Sequence, residues 1–485
     1  MLRKPALILI LLITTACSCK KNIEYLVQVF VSSTGGERLT QKSDLKFSKA
    51  TINISPDITV NEEIKFQKID GFGASFNEAG MICLNSLQPS SADSVMKNLF
   101  DPDCGAGFSL MKAPLAACDF SSAGPWYSFN DVPDDTLMQN FSINRDLQPD
   151  GIIPYIKMAM KYGNFKIHST MDFPPDWMLF SLKNGEKHVK PEYYRALARY
   201  FVKYIKAYES QGISIDFLSP FNEPDNSWYT NVSYEEISKM IKYHIAPLFK
   251  ESEIKTKIQF GETCNRTDGL KKLIPFLEDK DLIKIISTIN VHGYDWNNFM
   301  AINSLHCKFP EVPVWMTEVC YAIESNIPPG GPQSVPVYDF NDIFFWADMI
   351  MNDLKSGVSA WIYWNMILDE KGGPWLIAPE HGNPDNNNQH PVVIINRKSG
   401  EITYTGLFYG LAHFSRFVRP GSFRIESSGE QENLNFCAFQ NTNGKIVLNV
   451  LNRGSERKVR IKWKNLMIEN NLPAFSLTTF IWKNR

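Results

Sequence analysis

The chain of 485 residues carries 50 Lys and Arg against 52 Asp and Glu, a formal net charge of −2, and 44% of its residues are hydrophobic. These values are typical of a globular protein that buries a large core. A near-neutral charge without a long run of Lys or Arg excludes the clustered cations on which nucleic-acid affinity depends, so we expect no nucleic-acid partner.

The N-terminus has the pattern of an export signal. Arg3 and Lys4 precede an apolar run over residues 6–13, which is too short to span a bilayer, and small residues follow it. Cys17 comes next and resembles the lipidated Cys of bacterial lipoproteins, although a plain signal peptide cleaved nearby has the same pattern. We expect residues 1–16 to be a signal peptide. If Cys17 is lipidated, we expect an exported protein of a Gram-negative bacterium, either periplasmic or anchored in the outer membrane. Its membrane contact would then be through the lipid anchor alone.

The body of the chain alternates two kinds of segment. Residues 17–66 form an arm with strand-like pieces at 25–31 and 50–54. Residues 67–420 then alternate apolar runs with amphipathic segments, which predicts parallel strands joined by crossover helices. The predicted strands span residues 69–75, 107–114, 165–171, 215–223, 257–263, 286–294, 313–320 and 357–365. The predicted helices span residues 90–100, 152–162, 193–210, 234–250, 270–277, 298–308, 341–355 and 407–417.

Eight such units predict an α/β fold, a closed (β/α)8 TIM barrel. After Pro420 the pattern changes, because residues 458–463 alternate polar and apolar side chains and Asn443-Gly444 is a hairpin turn signal. Neither the N-terminal arm nor residues 421–485 has enough strands to bury a core alone. We therefore expect the two chain ends to form one attached β-sandwich.

Cysteine and histidine spacing gives no metal or disulfide framework. Seven cysteines remain after Cys17 and Cys19, without a CxxC pair, and the eight histidines contain no HExxH motif. We expect a mechanism without a metal or another cofactor.

Two carboxylates end opposite strands of the predicted barrel. Glu223 closes the fourth apolar run and Glu318 closes the seventh. Active sites of such barrels lie at the carboxyl ends of the strands, so both side chains can converge over the mouth. Hydrolysis of an acetal requires one carboxylic acid and one carboxylate. The alternative is that each Glu is a solvated or salt-bridged loop residue.

The motif Asn222-Glu223-Pro224, with a Glu at the seventh strand, resembles the retaining barrel glycosidases. Further segments are similar to glycoside hydrolase family 30, which includes glucosylceramidase; they lie at residues 66–73, 117–121, 140–142, 198–203, 364–365, 372–374 and 413–415. The resemblance implies a retaining β-glycoside hydrolase that cleaves β-linked oligosaccharides, polysaccharides or glycolipids by double displacement. It makes Glu223 the acid/base and Glu318 the nucleophile.

The resemblance also implies a set of substrate-binding residues: Asp119, Trp177, Asn222, His292, Tyr294 and Trp364. An Asp accepts hydrogen bonds from two adjacent sugar hydroxyls, an Asn beside the acid/base holds the 2-hydroxyl, and an indole packs against the C–H face of a pyranose. Alternatively, Trp364 belongs to the core and Tyr294 to the rim.

Three positions depart from the family pattern. Asp172 stands where the family has a binding Trp, Gly293 replaces a frequent aromatic residue, and Lys112 replaces an Arg. An Asp in the mouth removes a stacking surface and adds a strong acceptor, so we expect Asp172 to contact the substrate and to alter the preferred sugar or linkage. The alternative is that Asp172 pairs with a nearby Lys or Arg and contacts no ligand.

Two other functional interpretations stay open. The first is a catalytically inactive, surface glycan-binding lipoprotein on a glycosidase scaffold, which the presence of both carboxylates disfavours. The second has the same hydrolytic chemistry but acts on a different bond: it cleaves within a β-1,6-glucan or xylan instead of releasing terminal glucosyl or xylosyl residues. Loops at residues 125–138 and 323–337 would decide whether the cleft is walled off.

Overall fold

The computed structural model describes residues 25–50, 55–121, 127–183, 187–225, 230–321, 340–374 and 389–483. The expected signal peptide, Cys17, residues 51–54 of a predicted strand and the loop at 323–337 lie outside the described residues, as do residues 125 and 126 of the other loop. Among the described helices, none is both long and apolar enough to cross a membrane.

The parallel sheet closes into the predicted TIM barrel. Its strands are Gly71–Ser75, Leu110–Pro114, Lys166–Thr170, Phe217–Ser219, Lys257–Ile258 with Phe260–Thr263, Ile289–His292, Val314–Glu318 and Val358–Asn365. The fifth strand is split at Gln259: its first part pairs with the fourth strand and its second part with the sixth. The eighth strand pairs with the first, so every described barrel strand has neighbours on both sides.

Helices cover the outside of the barrel. They are Glu78–Asn85, Pro89–Phe100, Ile152–Met160, Tyr194–Ser210, Tyr234–Met240, Ala246–Glu251, Asp268–Leu277, Lys280–Ile285, Phe299–Lys308, Asp342–Lys355 and Gly406–Ser415. The predicted helix at 234–250 contains a π-helical segment, Ile241–Ile245. Pro247 follows this segment and lacks the N–H that a regular helix would need there, which accounts for the local change.

Two of these helices are absent from the sequence-based prediction. Glu78–Asn85 is buried on most of its surface and therefore lacks an amphipathic pattern; its start is fixed by Asn77, whose Oδ1 accepts from the Gly80 N–H at 2.8 Å. Lys280–Ile285 is only six residues long, too short for a clear periodicity.

Short elements follow the third and eighth barrel strands. 3₁₀ turns at Asp176–Met178 and Pro191–Tyr193 flank a hairpin of Leu179–Ser181 and Lys187–Val189. A three-stranded sheet of Ile367–Asp369, Val393–Ile395 and Ile402–Tyr404 follows the eighth strand.

A second sheet takes strands from both ends of the chain, as the expected β-sandwich requires. Its order is Thr40–Lys46, Leu26–Ser33, Ser476–Lys483, Lys445–Asn452, Leu434–Gln440, Phe423–Ser428, Ile58–Lys68, Arg457–Trp463, Leu466–Leu472 and Ser48–Lys49. Its own core includes Trp463, Phe480 and Trp482.

Buried hydrogen bonds join the sandwich to the barrel. His413, on the last helix, lies 2.7 Å from Thr479 Oγ1 and 3.0 Å from Ser32 Oγ, so one imidazole connects a barrel helix to both chain ends. These hydrogen bonds anchor the last helix to the sandwich.

Candidate active site

Glu223 and Glu318 converge at the carboxyl end of the barrel. Glu318 is the last residue of the strand Val314–Glu318, and Glu223 follows Phe217–Ser219 in a turn with φ of +40°. One carboxylate oxygen of each Glu and a ring nitrogen of His292 all lie within 4.8 Å of one another. A positive φ at a non-glycine residue is unfavourable, so this turn holds Glu223 in a strained conformation of the kind that concentrates at functional sites.

Glu318 is surrounded by donors. Lys112 Nζ donates to its Oε2 at 2.5 Å, and the Tyr294 hydroxyl donates to its Oε1 at 2.8 Å. Burial alone would raise the pKa of Glu318, but Lys112, His292 and the Tyr294 hydrogen bond outweigh burial and lower it. Glu318 is therefore ionised at neutral pH, as a nucleophile must be.

Lys112 links several groups of the site. Its ammonium also donates to Asn222 Oδ1 at 2.9 Å and lies 5.2 Å from the centre of the Trp364 ring. Its side chain is 1% exposed, and burial would lower its pKa, but Glu318, Glu262 and Asp172 raise it. The departure from the family's Arg thus keeps a permanent positive charge in contact with Glu318.

His292 lies between two carboxylates. Its Nδ1 is 2.8 Å from Glu223 Oε1, and its Nε2 is 2.9 Å from Glu262 Oε2. Burial would lower the pKa of His292, yet Glu318, Glu223 and Glu262 raise it to about 10. Glu262 is a site residue that sequence reasoning missed; its one available signal was an acidic residue inside the apolar strand Phe260–Thr263.

Two further acidic side chains lie near the pair. Asp119 Oδ1 is buried without a hydrogen-bond partner among the described residues, and burial, followed by the charges of Asp172 and Glu318, raises the pKa of Asp119 well above its usual value. Burial also raises the pKa of Asp172 to about 8, against an opposing effect of Lys112. Lys112 directs its hydrogen bonds to Glu318 and Asn222, and among the described residues Asp172 has no cation within hydrogen-bonding distance.

Most of the sequence-predicted site residues share this network. Asn222, His292 and Tyr294 contact it directly. Trp364 is 4% exposed; its ring lies edge to face with Phe120, and the Lys112 ammonium lies over it. Trp177 has different neighbours. Its indole N–H donates to the Asn130 carbonyl at 2.8 Å and its ring packs edge to face on Tyr193, and none of its described contacts is with the Glu223–Glu318 network.

The cluster does not fit a metal ion. Glu223, His292 and Glu318 present three potential ligand atoms. The Lys112 ammonium already occupies one side of Glu318, and His292 donates with both nitrogens when it is protonated. A cation would meet two positive charges, so these residues suit an electrically neutral ligand with hydroxyl groups.

A TIM barrel with paired carboxylates at the ends of its fourth and seventh strands defines a glycosidase of the barrel class. Residues 69–418 match the glycosyl hydrolase family 30 TIM-barrel domain, and residues 421–480 match the glycosyl hydrolase family 30 beta sandwich domain. The chain belongs to glycosyl hydrolase family 30, which confirms the family and fold that the sequence motifs predict.

Relatives of known name agree with this assignment. The chain is 25% identical over 455 residues to the lysosomal acid glucosylceramidase of Mus musculus, covering 88% of this chain and 84% of the relative. It is 27% identical over 384 residues to the endo-1,6-beta-D-glucanase BGN16.3 of Trichoderma harzianum, covering 75% and 72%. The crystal structure of SrfJ from Salmonella typhimurium superposes with a TM-score of 0.83 at 24% identity, covering 95% of this chain and all of that one.

Proposed function

We propose that the protein hydrolyses β-glycosides with retention of configuration by double displacement. The observation that carries this proposal is the approach of one oxygen of Glu223 and one of Glu318 to within 4.8 Å. Retaining enzymes place their carboxyl groups about 5–5.5 Å apart, because the nucleophile bonds directly to the anomeric carbon. Inverting enzymes need about 6.5–9.5 Å to accommodate a water molecule.

The surroundings of the two carboxylates favour different roles. Glu318 is 7% exposed and accepts from an ammonium and a phenol, which stabilises its negative charge. Glu223 is 15% exposed and touches neither donor; its described side-chain partner is His292 at Oε1, which leaves Oε2 available. We assign Glu318 as nucleophile and Glu223 as acid/base.

The reaction then proceeds in two balanced steps. Glu318 attacks the anomeric carbon while Glu223 gives its proton to the departing oxygen, so the C–O bond to the leaving group breaks as the glycosyl–enzyme ester forms. A water molecule next gives a proton to Glu223 and attacks the same carbon, and Glu318 departs as a carboxylate. Glu223 ends the cycle protonated, as it began.

The substrate that the site favours is a neutral β-hexoside. Asp119 and Asp172 border the mouth beside Glu223 and Glu318, and burial together with the neighbouring acidic groups raises the pKa of both Asp side chains. Added negative charge is therefore unfavourable in the mouth, which disfavours an anionic sugar. Sugar hydroxyls can donate to both Asp side chains. The names of the two relatives specify glucosyl substrates, so we infer a β-glucoside, in a glycolipid or in a β-1,6-glucan.

The test compares leaving groups. Glu223→Gln removes the proton that the leaving oxygen needs, so hydrolysis of an alkyl β-glucoside should fall by about 10²–10⁴-fold, whereas a dinitrophenyl β-glucoside, which needs little protonation, should be slowed far less in its first step. The control Glu235→Gln changes an exposed Glu that pairs with Lys239 on a surface helix. Equal slowing of both substrates by Glu223→Gln would refute the assignment. An inactive wild-type protein that binds β-glucan would support the glycan-binding alternative instead.

A further inference from the structure

A buried polar layer lies directly beneath the carboxylate pair, and Glu262 is at its centre. Glu262 is fully buried and has a φ of +54°. It accepts three hydrogen bonds, two from the sixth barrel strand and one from the seventh: Asn290 Nδ2 donates at 2.5 Å, His292 Nε2 lies at 2.9 Å and Thr317 Oγ1 donates at 2.9 Å. Glu262 therefore combines a strained backbone conformation with a buried carboxylate surrounded by donors, which indicates a specific role for the carboxylate charge.

The direction of the surrounding hydrogen bonds fixes the state of Glu262. Gln259 Nε2 donates to Thr288 Oγ1, and Thr288 donates to Asn290 Oδ1, each at 2.7 Å. The Asn290 amide group is thereby oriented with its NH₂ toward Glu262. Burial would raise the pKa of Glu262, but the two neighbouring histidines and Lys112 lower it below its usual range. Glu262 is therefore a carboxylate that only accepts.

Two histidines flank Glu262, and the network distinguishes them. His168 Nδ1 lies 2.6 Å from Gln259 Oε1, so this nitrogen carries the hydrogen, while its Nε2 is 3.6 Å from Glu262 without a hydrogen bond. Burial lowers the pKa of His168 to about 4, so His168 is neutral. His292 instead has a carboxylate at each nitrogen, and it carries the positive charge of the layer.

We propose that Glu262 is a positioning residue for the acid/base: it holds His292 as a donor at both nitrogens, and through His292 it engages Oε1 of Glu223 and leaves Oε2 to transfer the proton. This inference rests on the proposed role of Glu223. The proton on Oε2 moves to the leaving oxygen in the first step and is replaced from water in the second. His292 keeps both of its protons throughout.

His292 faces charged or titratable groups from most of the surrounding strands. They are Lys112 on the second strand, His168 and Asp172 at the third, Glu223 after the fourth, Glu262 on the fifth and Glu318 on the seventh. Of these, Glu262 is the fully buried carboxylate that contacts Nε2, on the side of the ring away from Glu223, so it can compensate the imidazolium without entering the reaction.

The test is Glu262→Gln, which keeps the length of the side chain and removes its charge. The proposed mechanism needs one acid and one base, so kcat/KM should follow a bell-shaped pH profile with an acidic and a basic limb. In Glu262→Gln, His292 loses its compensating carboxylate and becomes neutral in the working range, so both limbs should move to higher pH by about one unit. We expect kcat to fall by about tenfold or more with little change in KM, because the proton on Glu223 is no longer directed to one oxygen. Glu262→Asp retains the charge and should restore the wild-type limbs with a lower kcat.

The matched control is Asp146→Asn, which makes the same carboxylate-to-amide change at a buried residue bonded to Tyr127 and Tyr208. It should leave both limbs in place. If Glu262→Gln does not fold, His292→Gln makes the same measurement, since its amide can donate to Glu223 without a charge. Limbs that stay at the wild-type pH in Glu262→Gln or His292→Gln, with the Glu223→Gln leaving-group effect intact, would overturn this proposal alone; absence of wild-type hydrolysis would overturn both.

Discussion

Replacement of Lys112 by Met tests the electrostatic basis of the site. Lys112 and Glu318 form a buried pair at 2.5 Å, with side chains 1% and 7% exposed. Removal of one member of such a pair leaves an uncompensated buried charge and typically costs about 3–5 kcal/mol. We expect Lys112→Met to lose stability of this order at pH 7, although the positive charge of His292 remains near Glu318.

The loss should depend on pH with a definite sign. Since the pKa of Glu318 is lowered from 4.5 in the folded protein, the pair contributes its full stability above that value and loses it as the pH falls through the folded pKa. In Lys112→Met, protonation of Glu318 removes the unpaired charge. The deficit relative to wild type should therefore be largest near pH 7 and should shrink below about pH 4.5.

Urea unfolding followed by tryptophan fluorescence at pH 7 and pH 4 measures this difference in stability. In the pH profile of kcat/KM, the acidic limb of Lys112→Met should lie at higher pH than that of the wild type. Lys112→Arg, which keeps the charge, should leave the limb in place. Lys239→Met removes an exposed Lys at 2.7 Å from Glu235, where a change within about 0.5 kcal/mol is expected. An equal deficit at both pH values, together with an unmoved acidic limb, would refute the reasoning.

The other predictions concern single side chains. Asp172→Asn should raise the free energy of unfolding at pH 9 but not at pH 4, since a folded pKa of about 8 against an ordinary 3.8 means that ionisation opposes folding over this interval; urea titrations at the two pH values measure it. If the Asp172 side chain accepts a hydrogen bond from a sugar hydroxyl, Asp172→Ala should weaken transition-state binding of the β-glucoside, obtained from kcat/KM, by about 1–3 kcal/mol. An unchanged kcat/KM would show that Asp172 has no role in substrate choice. Tyr294→Phe removes one donor to Glu318 and should reduce transition-state stabilisation, obtained from kcat/KM, by about 1.5–3 kcal/mol. Steady-state kinetics measure this change, and unaltered kinetics would contradict it. We also propose lipidation at Cys17, for which loss of fatty-acid labelling in Cys17→Ser is the expected result and retained labelling the opposite.

Sequence reasoning worked where local pattern and function coincide. The barrel strands are apolar runs buried on both faces, so their number and order could be predicted; Glu318 ends one of these strands and Glu223 lies in the turn after another. The helix Glu78–Asn85 was missed for the converse reason: it is buried nearly all round, and its sequence has no polar face to mark the helical period.

The charge network could not be read from sequence. Glu262 is one acidic residue in an apolar strand, and its role depends on partners from other strands, namely Asn290, His292 and Thr317. Lys112 was recognised as a substitution, but its simultaneous contact with Asn222 and Glu318 follows from the geometry of the closed barrel. The indole of Trp177 contacts Asn130 and Tyr193, and its role in substrate binding stays a prediction from the motif.

Retention at the anomeric carbon, with Glu318 as nucleophile, is the central claim, and one labelling measurement tests it most directly. A 2-deoxy-2-fluoro β-glucoside with a dinitrophenolate leaving group forms the ester rapidly and releases it slowly, since the fluorine destabilises the oxocarbenium-like transition states. Mass spectrometry of the digested protein should then show one added fluoroglucosyl group on the peptide that contains Glu318. Labelling of a peptide that contains Glu223 instead, or hydrolysis without any covalent adduct, would contradict the account.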